Sequence, residues 1–113
     1  VPEPQVVDVV AYSHGGQLAC YAAARAVRGF RVRRLVTLGL PVRPEFALIR
    51  QRAAARVEAW WAVAGGTHWL WAALGGGDAP VPEIPADRNV AVPRDEPLLD
   101  PATWDRRGWW AWL

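Results

Sequence analysis

The sequence predicts an α/β fold: a parallel sheet of three or four strands with helices flanking it in three layers. Three observations carry that expectation. Short β-branched runs alternate with alanine- or arginine-rich helical runs, and glycine or proline stands at the junctions. The run Val6 to Tyr12 is short and mostly apolar, which marks a strand buried on both faces, as in a parallel sheet. Strand–helix alternation implies right-handed crossovers. The 113 residues suit one domain, read here as 1–113, able to bury roughly two thirds of its unfolded surface.

Each element follows from local composition. Val6 to Tyr12 is short and rich in β-branched residues, hence the first strand. Gly15 to Val27 is alanine-rich, hence a closely packed helix, with Gly29 as its stop. Val32 to Leu38 reads as the second strand, ended by Gly39-Leu40-Pro41, and Glu45 to Arg56 as the second helix. Val57 to Val63 is the expected third strand, carrying Trp60 and Trp61 and closed by Gly65 and Gly66. Trp69 to Leu74 reads as a short helix before Gly75-Gly76-Gly77. The segment from Asp78 to Asp87, with Pro80, Pro82 and Pro85, reads as a loop. Asn89 to Val92 is the fourth strand. Asp100 is placed to cap a last helix that starts with Pro101 and runs to about Leu113.

Composition narrows the function classes. The 13 basic side chains face 11 acidic ones; all 13 are arginine, and they are spread along the chain. That is no nucleic-acid footprint, so no nucleic-acid partner is expected. Cys20 is the only cysteine, so neither an internal disulfide framework nor a cysteine metal site is expected. Lying in the alanine-rich helix, it reads as a small buried filler. Two histidines without clustered carboxylates give no metal signature, and no cofactor is implied. No stretch reaches about 18 uninterrupted apolar residues, so no transmembrane segment is expected. The N-terminus, opening on Val1, has neither the charged start nor the apolar core of a secretion signal. All eight tryptophans lie in the second half. They read either as core and rim or as an exposed aromatic surface for a protein partner, a lipid or a missing protein segment.

The stretch Ala11-Tyr12-Ser13-His14-Gly15 carries the chemistry. A serine between a buried strand and a glycine-led helix has the layout of a nucleophile elbow. In such a turn the hydroxyl stands above the sheet at the positive end of the helix. The backbone N–H of the next residue, His14 here, points at a developing oxyanion.

The run Val9 to Ala19 (Val-Val-Ala-Tyr-Ser-His-Gly-Gly-Gln-Leu-Ala) and the run Val36 to Pro41 (Val-Thr-Leu-Gly-Leu-Pro) resemble the lipase and esterase branch of the α/β-hydrolases. Trp61 to His68 and Asn89 to Pro101 are similar to the family's segments that bear the catalytic acid and histidine. The resemblance covers most of the chain but only the second half of the family's fold, from the elbow onward. It implies Ser13 as nucleophile and an ester or lipid as substrate. The acid is implied just after the third strand, where Thr67 and His68 stand, with Asp78 ten residues beyond His68. The histidine is implied just after the fourth strand, where the chain offers Asp95 and Glu96, and none follows His68. Ser13, His68 and Asp95 are therefore the catalytic candidates, with His14 as oxyanion donor. The bland reading sets His68 on the surface or in a local hydrogen bond, and Asp95 and Glu96 as solvated loop charges.

Serine is a poor nucleophile until a base takes its proton, and a carboxylate, some two to three pH units more acidic than imidazole, is a weak substitute. Two readings follow. In one, this is a hydrolase-derived domain with an incomplete triad, serving as a structural or interaction module. In the other, it is a serine ester hydrolase completed by another segment or chain. Either way, half of a doubly wound sheet leaves the first strand's edge open, so a protein partner or self-association is expected.

Overall fold

The structure, a computed structural model, describes residues 5–25, 29–40, 44–65, 85–93 and 96–113. In chain order these form β1 (Gln5–Tyr12), α1 (Gly15–Ala24), β2 (Phe30–Leu38), a 3-10 turn (Pro44–Phe46) leading into α2 (Ala47–Arg56), β3 (Ala59–Gly65), β4 (Arg88–Val92), α3 (Pro101–Arg107) and a closing 3-10 turn (Trp109–Trp112). The four strands make one sheet in the order β1-β2-β3-β4, every pair parallel. The α/β class expected from the sequence is the class observed.

The topology dictates where the helices lie. Right-handed crossovers that step repeatedly in one direction put their helices on the same sheet face. Accordingly α1 and α2 lie together, packing on a cluster of Ala11, Ala19, Cys20, Ala23, Val32, Leu35, Ala53 and Trp60. The small side chains of α1 let the helix approach the strands closely. The opposite face is covered by the C-terminal segment: Val36, Leu38, Val63 and Val92 pack with Leu98, Trp104 and Trp109. Strand alternation sends neighbouring residues to opposite layers. Trp60 is fully buried on the α1/α2 side, whereas Trp61 packs with the other cluster. The buried indole of Trp60 donates to Thr37 Oγ1 at 3.0 Å, so its polar edge is satisfied without water. Its backbone N–H donates to Asp87 Oδ2 at 2.6 Å.

Several boundaries shift for local reasons. The third strand begins at Ala59 and not at Val57, because the Val57 N–H still caps α2 by donating to Ala53 O at 3.1 Å. The first helix ends at Ala24, where Arg25 is already extended. The last helix does not run unbroken to Leu113. Asp100 caps it as expected, accepting from the Ala102 N–H at 2.9 Å, with Pro101 in its first turn. Gly108 then adopts φ 70°, the left-handed conformation that ends helices, and the chain tightens into a 3-10 turn. The short helix expected at Trp69 to Leu74 lies outside the described residues.

Candidate functional site

Ser13 sits at the C-terminal end of β1, one residue past the last strand residue, and opens the turn into α1. Its φ is 55°, the only positive value at a non-glycine among the described residues. A β-carbon is crowded in this region, at a cost of roughly 1–2 kcal/mol. The surroundings hold it there. The Ser13 N–H donates to Leu38 O at 2.8 Å, continuing the β1–β2 ladder, while Ser13 O accepts from the Gly16 N–H at 3.0 Å. The same residue thus ends the strand and starts the helix.

The helix start supplies the electrostatics. Gln17 N–H donates to His14 O at 3.0 Å, so the N–H groups of His14 and Gly15 lie ahead of the first intrahelical bond. They are where the positive end of a helix offers donors to an anion. The His14 side chain is exposed. A β-carbon on Gly15 would meet nothing within 4 Å, whereas one on Gly16 would lie 2.6 Å from Leu40 Cδ1. Gly16 is the position where the helix passes close to the chain leaving β2.

The partners of a nucleophile are harder to assemble. His68 and Asp95 lie outside the described residues. Glu96, which follows the same strand, is described and is not a solvated loop charge. It is 9% exposed. Its Oε1 accepts from Arg106 at 2.5 Å and from Arg107 at 2.8 Å. The hydrogen bond from Arg107, then that from Arg106, holds its carboxyl below the usual range. β4 lies three strands from β1, which at the usual spacing is about 14 Å. A group on the loop after β4 has that distance to cross to reach Ser13.

The remaining reactive groups are accounted for. Cys20 is fully buried, and burial pushes its thiol up to about 11 against the opposing charge of Arg50, so it is not a thiolate nucleophile at neutral pH. Among the described residues no three His, Cys, Asp or Glu side chains gather as metal ligands, and no helix is long and apolar enough to cross a membrane.

The tryptophans of the C-terminal segment form a connected aromatic layer. Trp61 stacks on Trp112 at 5.9 Å, Trp112 on Trp109 at 5.5 Å, and Trp104 meets Trp109 edge to face at 5.6 Å. Trp104 anchors the group by donating its indole N–H to Leu98 O at 2.7 Å. Trp110 is 53% exposed, with its indole N–H on Asp105 Oδ1 at 2.8 Å. Trp60, Trp104 and Trp109 are buried, as core residues, and Trp110 is half-exposed against Trp104. Compared with protein-family models, curated proteins and solved structures, the chain matches none.

Proposed function

We propose that this is a hydrolase-derived domain that keeps the backbone of a nucleophile elbow without a working proton relay, and that serves as a structural or interaction module. The observation that carries this reading is Glu96. It occupies the loop where the resemblance puts the base, and two guanidinium groups hold it as a carboxylate. A carboxylate so stabilised is a poorer proton acceptor than a free one, which is already weaker than imidazole. One observation favours a second reading, a serine ester hydrolase completed by another segment or chain. Ser13 keeps a strained φ of 55°, and such strain tends to persist where it serves a site.

Hydrolysis of p-nitrophenyl esters and labelling by a fluorophosphonate probe separate the two. Loss of the base from a serine triad costs on the order of a million-fold in rate, and loss of one oxyanion donor roughly 100- to 1000-fold. The expected result is that wild type hydrolyses no faster than Ser13→Ala and labels poorly. Rapid labelling that disappears in Ser13→Ala overturns the non-catalytic reading. His68→Ala and Asp95→Ala then identify the base.

A further inference from the structure

The geometry points to an acidic segment of another protein as the partner of the end of the sheet away from Ser13, where the fold gathers arginines that the sequence spreads out. This deepens the reading as an interaction module by naming the chemistry of the partner. It rests on that reading for its purpose and on the arginines for its evidence, so the two can fail separately.

In a parallel sheet every crossover returns the chain to the end where strands begin. Helix C-termini and strand N-termini therefore converge there, while Ser13 lies at the other end, past the last residue of β1. Arg25 follows α1, with its guanidinium 5.9 Å from the Tyr21 ring. Arg52 and Arg56 lie one turn apart in the second half of α2, both exposed. Arg31, Arg33 and Arg34 fall in the first half of β2, and Arg88 opens β4. The acids of the same end are Asp8, Glu58 and Asp87.

Seven arginines against three acids leave a surplus of four positive charges. Over the rest of the described residues, four acids face three arginines, so the surplus is confined to this end. The segments adjoining it in sequence, 1–4, 26–28 and 66–84, carry three acids and one arginine, too few to cancel it at any placement. Two of the seven are taken up: Arg33 by Asp8, with Nη2 to Oδ2 at 2.8 Å, and Arg31 by Glu58 at 3.6 Å. Among the described residues Arg25, Arg34, Arg52, Arg56 and Arg88 form no ion pair within 4 Å. The helix dipole accounts for a cation in the last turn of α2, but not for Arg34 and Arg88 on strands.

The pattern selects the class of partner. A guanidinium is a planar fork that matches a carboxylate with two hydrogen bonds. Glu58 and Asp87 are exposed within the cluster, and they would repel a continuous anionic surface such as a nucleic-acid backbone or a lipid bilayer. A peptide can leave gaps opposite them. Side chains four apart on a helix stand about 5–6 Å apart, close to the roughly 6.7 Å between alternate side chains of an extended peptide. Arg52 and Arg56 can thus take two carboxylates from alternate positions of one acidic segment.

Fluorescence anisotropy with the full chain and a labelled peptide of alternating glutamate and alanine tests this. Wild type and Ser13→Ala are expected to bind alike, with affinity that falls as salt is added. Arg52→Gln/Arg56→Gln is expected to weaken binding roughly five-fold or more while keeping the wild-type circular dichroism. Arg25→Gln/Arg88→Gln repeats the test on other elements. Leu99→Glu/Ala102→Glu makes the same change in net charge at exposed positions on the other side of β4 and is expected to bind as wild type. No binding by wild type overturns the proposal. So does equal weakening by the Leu99/Ala102 variant, which would make net charge alone responsible. Tighter binding to a single-stranded oligonucleotide or to phosphatidylserine vesicles than to the peptide overturns the choice of a protein partner.

Discussion

Ser13 holds a conformation that its side chain opposes. At φ 55° the β-carbon costs roughly 1–2 kcal/mol, and glycine would remove that cost while adding about 0.5–1 kcal/mol of unfolded-state entropy. Ser13→Gly is therefore expected to raise stability by up to about 1 kcal/mol, read as a higher urea midpoint with an unchanged slope. Ser13→Val is expected to lower it, because a β-branched residue tolerates positive φ least. A lower midpoint for Ser13→Gly would mean that the hydroxyl contributes more to the turn than the strain removes. The conformation itself was legible in the sequence, since an apolar strand, a serine and a glycine-led helix leave few other turns. Which glycine faces Leu40 was not legible, because it depends on the path of the chain after β2: a β-carbon on Gly16 would meet Leu40, and one on Gly15 would meet nothing.

At the scale of elements, the C-terminal segment is stapled to the loop after β4 by Glu96. Arg107 and Arg106 lower its folded pKa relative to the free side chain. For a depressed acid the stabilisation is complete above the unfolded pKa, about 4.3 for glutamate. It fades as pH falls through that value toward the folded one. Acid should therefore loosen α3 and the tryptophans behind it. Asp8, also depressed by Arg33, weakens the β1–β2 pair in a similar window, so the contrast lies in the variant. Glu96→Gln should be less stable than wild type at neutral pH and should converge with it in acid, as followed by tryptophan fluorescence. A constant difference across the whole titration would show that Glu96 acts through packing alone. The staple was not legible in advance. The sequence displays Glu96, Arg106 and Arg107 but not which charges meet, because the turn made by Pro97, Leu98 and Leu99 brings them together. The cap on α3 was legible, because Asp100 and Pro101 act locally. The break at Gly108 was a local signal as well, overridden in the reading by the run of tryptophans that continues past it. The start of β3 depended on how far α2 extends, which no residue between Arg56 and Ala59 announces.

Across the whole molecule, stability is graded by position in the sheet. β2 lies between β1 and β3 and has both faces covered; Leu35, Val36, Thr37 and Leu38 are all fully buried. Opening it requires disrupting both core clusters, so its amides should exchange only through global unfolding. β1 is different, because among the described residues its ladder is one-sided. In dilute solution the amides of Val7, Val9 and Ala11, which face β2, should be protected, while those of Val6, Asp8 and Val10, which face outward, should exchange near the rate of an open chain. Residue-resolved hydrogen exchange by NMR reads this comb directly. Equal protection along β1 in dilute solution would mean that the edge is already covered within one chain. Equal loss along β1 would mean that the strand detaches from β2.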